Sequence, residues 1–418
     1  MDADVVVVGA GAAGIIAAWR AASLGADTLL IEKTGRLGTK ILISGGGKCN
    51  ITHDGPIEDV LREFRPNEAR FIRPSCYRFT NRQIVELFTS KGLDVYTRPN
   101  GRVFPVRHTA KDVVAILGGH LREAGVRTRM QSPVTGLVTE EGRIVGVRCG
   151  DQEVRARAIV ISSGGCSYPG TGTTGDGWAW ARELGHTIVK IRAALAPINI
   201  VSDEVWASRS GVSLRDCVLK ARQNGKEIAR WRDDLLFTHH GVSGPSALGI
   251  SRDVAERAGQ GPITVEVDLI PDESFETLTS RIHNWTSVNP RKLWSSFLVE
   301  MIPERLVPWF LDSASIDRTL TTGATDKKAK NRIVAGVKGW NLGQVRDVPI
   351  EKGEVVAGGI SLDEVDPQTM RSLKSAGLFL CGEVLDIAGP VGGYNLQAAF
   401  STGFVAGETA AGAGSRDL

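Results

Sequence analysis

An α/β fold whose main domain is written in two pieces, one near each end of the chain, is what this sequence predicts. Three observations carry that prediction. DVVVVGAGAAGIIAAWRAASLGADTLLIEK (4–33) sets an apolar strand, a glycine turn, an alanine-rich helix and a second strand in order. GLFLCGEVLDIAGPVGGYNLQAAFSTGFVAG (377–407) sets a short strand, a glycine-rich turn and a helix in order. Between them, at about Lys190, strand-like alternation and then helical periodicity take over until about Glu354.

Residues 5–8 are an apolar β-branched run, as expected for a parallel strand buried on both faces. Gly9-x-Gly11-x-x-Gly14 follows directly and opens a helix reaching about Leu24. Gly9 permits the tight turn, Gly11 lets the backbone approach a pyrophosphate, and Gly14 lets helix and strand pack closely. The helix start, through Ala12 and Ala13, offers free N–H donors and a positive dipole end. A second strand, 28–31, ends at Glu32, whose carboxylate can accept from an adenosine ribose and disfavours a 2′-phosphate. The fingerprint alone does not separate NAD from FAD.

A chain of 418 residues suggests two or three domains at ~150 residues each. Fifty basic and 47 acidic residues leave +3, which argues against a nucleic-acid partner. No apolar run long enough to span a membrane exists, and the chain enters a strand at once, so neither membrane insertion nor a signal peptide is expected. The six cysteines show no CxxC and no zinc spacing, which fits reduced thiols in a cytoplasmic protein and no metal site.

The most distinctive segment is GTKILISGGGKCN (38–50). Its successive glycines Gly45, Gly46 and Gly47, flanked by Ser44, Lys48, Cys49 and Asn50, let the backbone pass close to a planar ligand and supply donors. Lys40 and Lys48 are placed to balance pyrophosphate charge. Farther on, the apolar run 158–161 ends at Ser162-Ser163-Gly164-Gly165, as a parallel sheet presents a turn to a ligand at its carboxyl edge.

GTKILISGGGKCNITH resembles the hallmark of the BaiN/RdsA-like flavoproteins, FAD-dependent oxidoreductases that include enzymes described as aminoacetone oxidases. NGRVFPV, SSGGCSYPGTGTTGDG, LLFTHHGVSGP, AGGISLDEVDPQTM and GEVLD…GGYNLQAAFSTG continue the resemblance along nearly the whole chain. It departs at Cys166, where the family often carries a longer polar residue, and at Pro390, where an acidic one is common. The resemblance implies a Rossmann-like FAD-binding domain of the GR2 type, with an inserted β-rich domain and a small helical domain over the flavin. The expected boundaries are 1–189 and 355–418 for the FAD domain, 190–272 plus about 340–354 for the β-rich insert, and 273–339 for the helical domain. It implies tightly bound, non-covalent FAD, with Glu383 after Gly382 on the ribityl chain. Gly392, Gly393, Tyr394, Asn395 and Leu396 would open the last helix toward the flavin N1–C2=O edge, stabilising charge that develops there. Lys33, Gly38 and Val134 join the expected cofactor contacts.

Helices are expected near 81–91, 109–124 and 178–184, a hairpin over 134–138 and 144–148, and a last helix over roughly 396–407. Helical periodicity over 275–310 marks Trp285, Leu293, Trp294, Phe297, Leu298 and Met301 as core. Lys327, Lys328, Lys330 and Arg332 read as a solvated face.

No Ser-His-Asp spacing or metal cluster appears. Of seven histidines, His239 and His240 precede a loop-like GVSGP and are candidate proton donors or substrate ligands, as are Tyr168 and Tyr394 beside the cofactor loops. A second dinucleotide fingerprint is absent, so NAD(P)H would act as a transient electron donor. The expected chemistry is hydride transfer through flavin N5 with a small organic molecule, by a monomer or homodimer. The favoured form is an NAD(P)H-dependent reductase of an activated C=C or C=O. The alternatives are an amine oxidase using O2, an RNA-modifying flavoprotein and a non-catalytic redox sensor.

Overall fold

The apolar runs at both ends of the chain enter one sheet, each pairing with the same strand, Gln152–Ile161, between them. The protein, seen in a computed structural model, is described over residues 1–201 and 206–412. It divides into two units, Met1–Arg192 with Glu354–Leu418, and Ala193–Gly353.

The first unit begins β1 (Ala3–Val8), α1 (Ala12–Ser23), β2 (Thr28–Ile31), α2 (Thr39–Ile43) and β3 (Thr52–His53). It continues through α3 (Ile57–Arg62), α4 (Pro66–Arg78), α5 (Asn81–Thr89), β4 (Val95–Thr97), β5 (Arg102–Pro105) and α6 (Ala110–Glu123). Then come β6 (Arg127–Arg129), β7 (Gly136–Glu140), β8 (Arg143–Cys149), β9 (Gln152–Ile161), α7 (Asp176–Glu183) and β10 (Ile188–Ala194).

The second unit contains a closed barrel, built from β11 (Ile198–Ile200), β12 (Ser213–Gln223), β13 (Lys226–Phe237), β14 (Gly241–Ser243), β15 (Ile263–Asp268) and β16 (Trp340–Asp347). Helices α8 (Pro245–Arg257), α9 (Phe275–Val288), α10 (Trp294–Leu298), α11 (Val307–Ser313) and α12 (Lys327–Lys338) share its hydrophobic core. β17 (Val355–Ile360), β18 (Leu378–Leu380) and α13 (Tyr394–Gly412) return to the first unit.

The main sheet runs β6-β2-β1-β9-β8-β7, with β18 added on β9. β1 lies parallel between β2 and β9, Val5 facing Thr28 on one side and Ala158 on the other. β9 changes character along its length. Its first half alternates exposed and buried residues and pairs antiparallel with β8, whereas Ile159, Val160 and Ile161 are fully buried and pair parallel with β18. Alternation followed by a continuous apolar run is the pattern such a strand requires.

Helices α1 and α13 pack backbone to backbone. A Cβ on Gly403 would overlap the Ala13 carbonyl, and one on Gly407 the Ala17 carbonyl. The start of α13 is pinned by a buried polar set. Thr52 Oγ1 donates to Gln397 Oε1 at 2.6 Å, and Gln397 Nε2 donates to the Phe79 carbonyl at 3.2 Å and Ser401 Oγ at 2.8 Å.

The segment between β17 and β18 is clasped by His186, whose side chain is buried between Glu364 Oε2 at 3.2 Å and Ser372 Oγ at 2.8 Å. Burial holds this imidazole below its ordinary value, partly offset by Glu364.

Several local expectations shift. The stretch 275–310 is three short helices because Pro290 and Pro303 interrupt it. Leu293 is 38% exposed, since it caps α10 from outside the helical repeat, while Trp294, Phe297 and Leu298 are core. The last helix starts at Tyr394, before the expected residue, and α3 and α4 fill a region without a clear periodic signal. The basic cluster keeps its solvated face, with Lys327, Lys328 and Arg332 exposed, and Arg332 also donates to the carbonyls of Ala314 and Ser315 beyond α11.

Two outcomes follow. Gly407→Leu is expected to destabilise the chain by about 3 kcal/mol in urea titrations, because the side chain would enter a backbone contact. Unfolding also exposes His186, whose pKa then rises, so the unfolded chain binds the extra proton. Stability contributed by His186 is therefore complete above pH ~7 and falls as pH drops through about 6.5. His186→Gln should flatten that slope when urea midpoints at pH 7.5 and 5.5 are compared.

Candidate functional site

Four loops of the first unit meet at the carboxyl ends of β1, β2, β9 and β18. The first is the turn at Gly9, whose φ of +100° suits glycine. Ser162 Oγ donates to the carbonyls of Val8 at 2.9 Å and Gly9 at 3.0 Å, fixing the turn against β9. A Cβ on Gly14 would overlap the Gly9 carbonyl, so the helix start lies directly on the turn. A Cβ on Gly11, in contrast, would meet nothing within 4 Å and would fill open space in front of α1. Gly11 caps α1 without a side-chain bond, which leaves the first N–H groups, at Ala12, Ala13 and Gly14, without intrahelical acceptors. A phosphate-sized cradle with donors and no side chain is the result.

Glu32 closes this turn. Its Oε2 accepts from the Ala10 N–H and its Oε1 from the Thr34 N–H, both at 2.7 Å. Lys33 does not reach the cradle; its Nζ donates to Asp176 Oδ2 at 2.5 Å and to Thr174 Oγ1. Val134 is half-buried just before β7.

The glycine loop forms a tight turn over Ser44–Gly47, entered from α2, whose N-cap Gly38 is left-handed. Gly45, Gly46 and Gly47 have φ of +55°, +67° and +83°, and buried Cys49 joins them at +61°. A Cβ on Gly45 would press on the Asn50 N–H at 2.9 Å and the Phe104 ring at 3.2 Å, whereas one on Gly46 meets nothing. Asn50 Oδ1 is buried without a hydrogen-bond partner, as is Ser163 Oγ on the turn after β9. Ser44 Oγ donates to the Ile41 carbonyl at 2.7 Å, and Lys48 is exposed. Burial pushes the Cys49 thiol up to about 11, so it is neutral at physiological pH. All six cysteines are free.

The third and fourth loops meet at Glu383. Lys40 Nζ donates to both Glu383 oxygens, at 3.0 and 2.8 Å, and to Ser167 Oγ at 2.7 Å. Glu383 Oε1 also accepts from the Val356 N–H at 3.1 Å. Lys40 therefore lies on a carboxylate, where the sequence suggested a phosphate. A Cβ on Gly165 would press on the Glu383 carboxyl carbon at 3.1 Å, and Gly164, at φ +75°, is its neighbour in the same turn. Gly382, at φ +74°, approaches α1 so closely that a Cβ would come within 2.7 Å of the Ala13 Cβ.

At the start of α13, a Cβ on Gly393 would come within 2.5 Å of the Thr52 carbonyl, and one on Gly392 would overlap the Tyr394 ring. The Asn395 side chain closes its own loop, accepting from Gly389 N–H at 2.8 Å and donating to the Gly389 carbonyl at 2.9 Å, beside half-buried Leu396. Tyr394 stacks on His53 with centroids 4.8 Å apart and meets Phe64 edge-on. Burial, and then Glu63, push its phenol up to about 12, with Arg102 opposing.

Tyr168 has φ +48° and is 38% exposed. Burial of part of its ring, and then the Glu354 charge, raise its phenol above the ordinary value. His239 and His240 are exposed on the turn between β13 and β14, in the second unit. Thr52, Ser167, Val356 and Gln397 were not singled out by sequence reading. Thr52, Ser167 and Gln397 lie inside the quoted motifs, but Ser167 is 127 residues from its lysine and Thr52 is 345 residues from Gln397.

A phosphate-sized cradle of free N–H donors, two carboxylates whose charge is compensated locally and two buried, unpartnered polar atoms on neighbouring loops fit FAD. They define a Rossmann-type flavoprotein oxidoreductase. The chain matches the HI0933-like protein Rossmann domain over residues 3–409 and belongs to that family. It is 28% identical over 404 residues to a ribosomal RNA dihydrouridine synthase of Haemophilus influenzae, covering 96% of each chain. It is 28% identical over 408 residues to a 3-dehydro-bile acid delta(4,6)-reductase of Clostridium scindens, covering 97% of this chain and 98% of the other. Among solved structures, a 3-ketosteroid delta1-dehydrogenase of Sterolibacterium denitrificans shares the fold with a TM-score of 0.55 at 16% identity, covering 98% of this chain and 99% of that one. No helix among the described residues is long and apolar enough to cross a membrane.

Gly11→Val tests the cradle. A Cβ there meets no protein atom within 4 Å, so the urea midpoint should hold while FAD affinity falls about 100-fold, read by flavin retained through gel filtration.

Proposed function

We propose that the protein is an NAD(P)H-dependent, FAD-containing reductase that saturates a C=C bond conjugated to a carbonyl. One observation carries this reading. Relatives that match almost the whole chain are named for two unlike substrates, yet both names describe that one bond change. Dihydrouridine is uridine with the bond beside its C4 carbonyl saturated. A delta(4,6)-reductase of a 3-dehydro bile acid acts on double bonds conjugated to the 3-oxo group. The amine-oxidase alternative has no counterpart in either name.

FAD supplies hydride transfer at N5 between a dihydronicotinamide donor and the substrate β-carbon. The protein's tasks are to bind the cofactor in the cradle, align the enone, and deliver one proton to the α-carbon. Tyr168 is the proposed donor. A phenol carries its proton at neutral pH, and this partly exposed ring stands next to Ser167, which accepts from Lys40. His239 and His240 are the alternative donors.

A second reading concerns the molecule that carries the enone. The net charge of +3 hides an uneven distribution. Residues 62–111 hold eleven Lys and Arg against four Asp and Glu, a local +7. Arg98 lies over the Phe104 ring at 4.2 Å, and Tyr96 is exposed beside it, a combination suited to stacking bases of a single strand. An RNA carrier is the second candidate because one of these relatives is named a ribosomal RNA dihydrouridine synthase.

The test is anaerobic. NADH or NADPH should bleach the flavin band, and a dienone steroid or a uridine-containing RNA should restore it. Tyr168→Phe should lower the restoring rate about 100-fold or more with FAD content unchanged. Bleaching by amines and by neither nicotinamide, with peroxide formed in air, would overturn the reductase reading.

A further inference from the structure

We infer that Lys40 is the counter-ion and positioning residue of Glu383, acting on the cofactor only through that carboxylate. The Lys40 ammonium straddles both Glu383 oxygens at 2.8 and 3.0 Å, and its third contact is Ser167 Oγ at 2.7 Å. An ammonium has three protons, and these three acceptors use them in full. Glu383 in turn takes the Val356 N–H at 3.1 Å. Two residues, 127 and 343 positions away along the chain, thus converge on one lysine from α2. The side chains are only 24% and 17% exposed, so the pair is shielded enough for its charges to interact strongly.

The consequence is electrostatic. A bare carboxylate beside a dianionic dinucleotide would repel it and would disfavour added negative charge on the flavin. Lys40 neutralises Glu383, so the carboxylate can accept hydrogen bonds from sugar hydroxyls at little Coulombic cost. The lysine is spent on this task and is not a ligand of the pyrophosphate.

The inference rests on FAD being the cofactor, and the test separates the two. In full-length protein, Lys40→Met and Glu383→Gln are each expected to weaken FAD binding about tenfold. Lys40→Met should also shift the flavin midpoint potential to more negative values, a readout that packing alone would not move. The double variant Lys40→Met/Glu383→Gln should bind FAD no more weakly than Glu383→Gln alone, with its potential returned toward that of the parent. Lys40→Arg should bind nearly as the parent does. Losses that multiply in the double variant would overturn the inference and give Lys40 its own contact with the cofactor. If Lys40→Met fails to fold, recovery of folding in the double variant supports the inference and continued failure overturns it. A parent chain that takes up no FAD would instead overturn the cofactor reading.

Discussion

The first unit depends on the close approach of α1 and α13. Two glycines, Gly403 and Gly407, lie against the backbone of Ala13 and Ala17, residues from the opposite end of the chain. With no Cβ between them, the helices approach at backbone distance and dispersion contacts are dense. The same seam continues to the sheet edge, where Gly382 meets Ala13. One small residue too large at any of these places would push the closing segment away from the opening one. The glycines therefore set a distance, and the cofactor cradle inherits it.

Charge is handled in the same economical manner on both sides of the cradle. Glu32 receives two backbone N–H groups, and Glu383 receives an ammonium and one N–H. Each carboxylate retains lone pairs for sugar hydroxyls while its negative charge is compensated locally. The N-terminus of α1, uncapped by any side chain, is left to face phosphate.

Much of this was legible in the sequence because it is local. The order of strand, Gly9 turn, helix, strand and Glu32 is a continuous pattern of periods and glycines, as are the hairpin of β7 and β8 and the helix after Gly393. Positive φ at Gly45, Gly46 and Gly47 follows from three adjacent glycines. What periodicity does not encode is pairing at a distance. Lys40 looked free for phosphate because Glu383 is 343 residues away. Closure of the barrel through β11 and β16, and the Thr52–Gln397 bond, are hidden for the same reason. Leu293 matched an apolar spacing but stands one residue outside its helix, where burial does not follow the repeat.

The central claim is that the two ends of the chain build one FAD site. The most direct measurement is the flavin released from folded, purified full-length protein, identified chromatographically and counted against polypeptide, with FAD titrated into any flavin-free fraction. The account predicts FAD at one per chain, with saturable uptake by the flavin-free fraction. A folded chain that neither carries nor takes up FAD would contradict it.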